Sequence, residues 1–218
     1  TPPVVTPKLQ SIEAVVAQMK AWPDALSRAA KFLPDRVGGG PLQVFVVANG
    51  HPWGDAYVRG VEGRGDNLRL SEAGEPVIIL NAVLIVSGYR GNPTEQAASA
   101  FGVLSHELFH ALFRRYRAQD SNWTRLSGDL PPRDALQLLV LNEGVAHFVD
   151  REEELLREGF PRDRADAALG AFAKAWGRLA QTSPGSGDAE KILNSANQGR
   201  YWDKYGSVTG MLLAYGVF

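Results

Sequence analysis

Apolar residues surround two long segments of this chain on every side, and the few polar side chains caught inside them carry most of its chemistry. From Ala97 to Phe113 the chain reads AASAFGVLSHELFHALF. It lacks the single apolar stripe of a surface helix, so the pattern predicts a buried one. Its start is legible: Asn92 suits the cap, Pro93 the first helical position, and Glu95 the reciprocal place of a capping box. Arg114, Arg115 and Arg117 suit its negative C-terminal end. After Pro131 and Pro132, the run DALQLLVLNEGVAHFVD is apolar almost all round and predicts a second buried helix.

The rest of the pattern predicts α, then β, then α. Leu9 to Phe32 has helical periodicity, interrupted near Trp22-Pro23, and Gly38-Gly39-Gly40-Pro41 marks a loop. Leu42 to Ala48 and Val77 to Val86 read as buried strands, with Ala56 to Val61 a weaker strand between them. Helices are predicted at about 93–118, 131–157, 161–181 and 202–216. Ser183 to Asp188, SPGSGD, is the loosest stretch. Strands first and helices later predict an α+β fold, a small sheet packed on the first buried helix and a mostly helical C-terminal half. The whole of 1–218 is expected to form one domain, with 1–118 and 119–218 as its lobes.

Inside the first buried helix stand His106, Glu107 and His110. Two histidines four apart share a helix face and can share one ion, and the glutamate between them points toward the water that the ion activates. Burying two imidazoles and a carboxylate without partners would cost several kcal/mol, and a bound cation with its water satisfies all three. The spacing therefore predicts a zinc site. In the second helix Glu143, His147 and Asp150 fall at spacings of four and three on one face, next to Asn142. A catalytic zinc keeps three protein ligands and one open position. Any of these three side chains can be the third ligand on spacing alone.

Val103 to Phe113, VLSHELFHALF, followed by Asn142-Glu143-Gly144-Val145-Ala146, resembles the gluzincins, the zinc metallopeptidases that include thermolysin. The resemblance implies a zincin-like fold, with His106, His110 and Glu143 as metal ligands and Glu107 as general base. Where thermolysin-like sequences place an aspartate four residues after the ligand glutamate, this chain has His147. Asp150, one turn further on, is then the substitute partner for a ligating histidine. Gly144 beside the ligand would let another chain segment approach closely. In zincins a sheet edge beside the active helix holds substrate as an added strand, which makes Pro76 to Val86 the candidate here, with a core strand as the alternative. Asn49 to Gly54 can form an aromatic rim loop, and His51 within it is not expected to be a ligand. Tyr201 and Tyr205 match a tyrosine-then-glycine segment of several gluzincin groups, in which a hydroxyl can steady an oxyanion; packing is the alternative role.

Composition narrows this picture. The 218 residues are 44% hydrophobic and 22% charged with a formal net charge of -1, which gives no reason to expect nucleic acid or an anionic membrane as partner. Val77 to Val86 is too short to span a bilayer. With no cysteine, zinc must be held by nitrogen and oxygen, and cysteine proteolysis is excluded. A first residue Thr1 rather than methionine fits a processed export signal or a trimmed chain, and of the two the expectation leans to an exported bacterial protein, periplasmic or extracellular. The expected function is zinc-dependent hydrolysis of peptide bonds in a peptide or protein substrate. The alternatives are a silent zincin-fold protein that captures peptides, and a zinc hydrolase of another amide or an ester.

Overall fold

A computed structural model of the chain describes residues 5–34, 37, 40–48, 54–63, 67–71, 74–124 and 130–217. They fall into two compact units, Thr1–Tyr116 and Arg117–Phe218. The class is α+β, as the order of strands and helices predicts.

The first unit opens with α1 (Val5–Gln18), which passes through a 3-10 turn at Met19–Ala21 into α2 (Trp22–Ala30). The break falls beside Pro23, which has no N–H to give the preceding turn. Next come β1 (Gln43–Val47), β2 (Ala56–Glu62), β3 (Arg69–Leu70) and β4 (Glu75–Asn81), in the sheet order β1-β4-β2-β3. β1 runs parallel to β4, while β2 is antiparallel to both β4 and β3. Pro76, Val77 and Ile78 are consecutive and all buried, which is what a central strand covered on both faces requires.

Two expectations fail at this strand. The apolar run to Val86 is not one strand. It stops at Asn81, whose side chain accepts a hydrogen bond from the Leu84 N–H at 3.4 Å and caps α3 (Ala82–Gly88). A continuous apolar run fits a buried helix as well as a buried strand, and the asparagine inside it was the distinguishing signal. Nor can Pro76 to Val86 receive a substrate strand, because β4 is already paired on both sides, with β1 and with β2. Two-residue β3 leaves no periodicity to read in the sequence. Residues 49–53 of the proposed rim loop, His51 included, lie outside the described residues, as do Gly38 and Gly39.

α4 (Pro93–Gln119) begins with the expected reciprocal cap. The Asn92 side chain accepts from the N–H groups of Thr94 and Glu95 at 2.9 and 3.1 Å, and the Glu95 carboxylate accepts from the Asn92 N–H at 2.8 Å. Gln96, buried in the first turns, donates to the carbonyls of Val86 and Tyr89 and so ties α4 to the end of α3. At the other end Arg114 donates to the Ser71 carbonyl, while Arg115 donates to the Gly40 carbonyl at 2.7 Å and pairs with Glu75 at 3.2 Å. These two arginines anchor the helix to the strand connections, and of the three arginines expected at its negative end Arg117 alone stands in the last turn, because α4 runs on to Gln119.

The second unit holds α5 (Ser121–Thr124), α6 (Pro132–Glu158), α7 (Arg162–Leu179), α8 (Gly187–Ala196), a 3-10 turn at Tyr201–Asp203 and α9 (Tyr205–Tyr215). α8 goes beyond the sequence reading. Within the stretch expected to be loose, the Ser186 hydroxyl oxygen accepts from the Ala189 N–H at 3.3 Å and caps it. Leu136 and Val140 of α6, Leu179 of α7 and Ile192 of α8 meet in one apolar core, with Phe172 and Trp176 packed against it. Among the described residues no helix is long and apolar enough to cross a membrane.

α9 crosses α6 at glycines. A Cβ on Gly144 would overlap the Cα and carbonyl carbon of Gly210, and a Cβ on Gly210 would overlap the Val140 carbonyl oxygen. The close approach expected at Gly144 is therefore met, and by backbone rather than by a side chain that could move aside. Gly144→Ala gains roughly 1 kcal/mol of helix propensity. Overpacking costs about 1–3 kcal/mol or more, toward the upper end when the obstruction is backbone. The variant is expected to be net destabilised, with a lower denaturant midpoint in chemical unfolding; an unchanged midpoint would mean that the crossing relaxes freely.

Candidate metal centre

α4 presents its polar side chains selectively. From Gly102 to Phe113 every residue is buried except His106 and His110, which are half-buried. One helical turn puts these two rings on the same side. Their centroids lie 4.7 Å apart, nearly perpendicular at 78°, and the two Nε2 atoms stand 3.0 Å apart. Two nitrogens bound at 2.0–2.1 Å to a tetrahedral zinc would be about 3.3 Å apart, so the pair is already close to ligand spacing. Glu107, between them in sequence, is only 8% exposed. Phe109 and Phe113 stack with their centroids 5.6 Å apart, and Phe109 also lies 6.2 Å from the His110 ring.

On α6, Glu143 and His147 are likewise one turn apart and share a face. Their ligand atoms lie within 4.8 Å of each other, so a small inward shift would bring them to the roughly 3.3 Å that a tetrahedral zinc spans. The His147 ring, 3% exposed, has its Nδ1 2.8 Å from the Glu143 carbonyl oxygen. A carbonyl can only accept, so Nδ1 carries the proton, and in the neutral ring Nε2 holds the lone pair. Histidines that bind metals are commonly oriented in this way, with the other ring N–H given to a carbonyl. The residues of both helices thus fit zinc by donor chemistry: imidazole nitrogen and carboxylate oxygen, in a chain without cysteine.

The two tyrosines have different surroundings. Tyr201 donates its hydroxyl to the His147 carbonyl at 3.3 Å, also lies 3.4 Å from the Met211 sulfur, and packs its ring 5.0 Å from that of His147. Burial, reinforced by the charge of Asp150, pushes its phenol well above the usual tyrosine range, so it stays a donor. Tyr205 instead donates to the Ile192 carbonyl at 2.9 Å and packs against the apolar core, tying α9 to α8. Burial raises its phenol as well. Asp150 lies near enough to both Tyr201 and Arg151 for its charge to raise their affinity for protons.

Arg151 and Glu154 belong to the same surroundings but carry no signal in the sequence. In the run DREEELLRE they read as an ordinary solvated helix face. Arg151 in fact departs from helical geometry, at φ -118° and ψ 15°, and its guanidinium lies over the rings of Tyr201 and Trp202.

α6 is not buried all round as expected, since Asp134, Gln137 and Leu141 are exposed, but the imidazoles and carboxylate described on α4 and α6 are the donor types of a zinc-binding protein. The family described as "Putative zinc dependent peptidase (DUF5700)" matches residues 5–178, well over half of the 218, and the chain belongs to it. The match takes in both α4 and α6, with His106, Glu107, His110, Glu143 and His147, and ends before Tyr201. No curated protein and no solved structure matches the chain significantly.

Proposed function

We propose that this protein is a zinc-dependent peptidase of the gluzincin type, with His106, His110 and Glu143 as ligands and Glu107 as general base. The observation that carries the reading is the histidine pair, the one opening in an otherwise buried stretch of α4, with its Nε2 atoms 3.0 Å apart. Family membership supports zinc and peptide hydrolysis at a coarser level. Zinc, when bound, supplies a water that is nucleophilic near neutral pH and a positive charge for the scissile carbonyl.

The remaining steps fall to the chain. Glu107 accepts a proton from the attacking water and later delivers it to the leaving amine, so that one carboxylate serves as base and then as acid. Glu143 contributes negative charge to the ligand set, and the Glu-Gly-x-Ala setting of the gluzincin resemblance favours it over His147 as third ligand. His147, with Nδ1 committed to a carbonyl, serves beside it in orienting a ligand or the substrate.

Native mass spectrometry of the full chain is expected to show close to one zinc per molecule. A folded protein that stays metal-free after incubation with zinc would overturn the reading. A peptide-library digest with and without chelator then tests hydrolysis, with chelator-sensitive cleavage as the expected result. Turnover of esters alone would retain the chemistry and change the substrate class.

A further inference from the structure

Tyr201 makes two contacts with one residue. Its hydroxyl donates to the His147 carbonyl at 3.3 Å, and its ring lies 5.0 Å from the His147 imidazole, tilted by 39°. One turn later the backbone of α6 leaves helical geometry at Arg151. A side chain that engages a helix carbonyl is an established cause of such a break. Past the break the Arg151 guanidinium lies 5.0 Å from the centre of the Tyr201 ring and 5.7 Å from that of Trp202, and it is paired with the Glu154 carboxylate. A cation over two aromatic faces is attracted to both, more strongly as water is excluded. A continuous set of contacts therefore runs from Glu154 through Arg151 and Tyr201 to His147, all within the second unit.

We infer that Tyr201 is a positioning residue that clamps the His147 turn of α6, so that the imidazole presents Nε2 beside the Glu143 carboxylate, with Arg151 holding Tyr201 in turn. The Nδ1 bond to the Glu143 carbonyl fixes the ring from within the helix, and Tyr201 fixes the same ring and its backbone from outside. Held on both sides, the imidazole loses little freedom when it meets a metal or a metal-bound group, and that ordering cost is removed in advance. The inference rests on the zinc reading for what Nε2 faces, whereas the clamp itself is testable without metal.

The test uses the full chain labelled with 15N-histidine. In the metal-free protein His147 is expected to give one Nδ1–H tautomer with a protected proton, and Tyr201→Phe, which removes only the hydroxyl, should speed exchange of that proton about tenfold or more. In chelator competition Tyr201→Phe and His147→Gln should each weaken zinc about tenfold. The double variant should bind no more weakly than His147→Gln alone, because Tyr201 acts through His147. Losses that add, or unchanged exchange in Tyr201→Phe, would overturn the inference. Should Tyr201→Phe fold poorly, Arg151→Gln leaves the tyrosine intact and should show the same ordering with smaller effects; unchanged exchange there would likewise overturn it. A chain that takes up no zinc defeats the zinc reading alone, and the exchange measurement still decides the clamp.

Discussion

Glutamine in place of Glu107 is expected to lower peptide turnover by about 10²–10⁴-fold, the usual worth of a general base, with zinc content and melting temperature unchanged. The amide has nearly the shape of the carboxylate, so a side chain buried in the middle of α4 can be replaced without opening a cavity or crowding its neighbours. What it loses is the capacity to accept a proton from water. The histidines proposed as ligands on either side are untouched, which separates loss of the base from loss of the ion. Measuring kcat and metal content on the same preparation checks the expectation. Undiminished turnover would assign the base to another residue, and lost zinc would give Glu107 a structural part in the site.

Removing the Glu143 carboxylate is expected to weaken zinc binding far more than removing the His147 imidazole. Both side chains lie on one face of α6, one turn apart, and their ligand atoms lie within 4.8 Å of each other, so spacing does not rank them. Charge and role do. In the proposed site Glu143→Ala would take away a ligand and its negative charge, whereas His147→Ala would take away a group that orients the site, a change typically worth about 10–100-fold in affinity. Competition with a chelator at constant pH gives both numbers. The reverse order would make His147 the third ligand, in a three-histidine set that zinc also accepts.

The helical half of the fold was legible because α4 and α6 are long apolar runs with few breaks, because α7 is long and periodic, and because caps such as Asn92 and Glu95 announce where a helix starts. What escaped was decided by short-range competition. Asn81 turns an apolar run into a strand followed by a helix, and Ser186 converts a glycine-rich turn into the start of α8. Which strand lies at the edge of the sheet depends on long-range pairing, which periodicity does not encode, and so of the two roles open to Pro76 to Val86 the structure has the core strand, up to Asn81, rather than the substrate edge. At the candidate site, His106, Glu107 and His110 stand out because polar groups are conspicuous inside an apolar run. Arg151 does not, since one arginine in a charged helix end looks like any other until its backbone and ring contacts are known.

The glycine crossing of α6 and α9 has a genetic consequence. When two side chains collide, a second mutation that trims one of them can restore the fit. At Gly144 and Gly210 there is nothing left to trim, because each faces main-chain atoms of the other helix. In a selection for revertants of a Gly144 substitution, second-site suppressors should therefore be absent at position 210. They should arise where α9 can be shifted bodily, as at the Tyr205 tether to Ile192, or revert codon 144 itself. The residue next to Glu143 is thus held to glycine by the path of a distant backbone, independently of any role in catalysis.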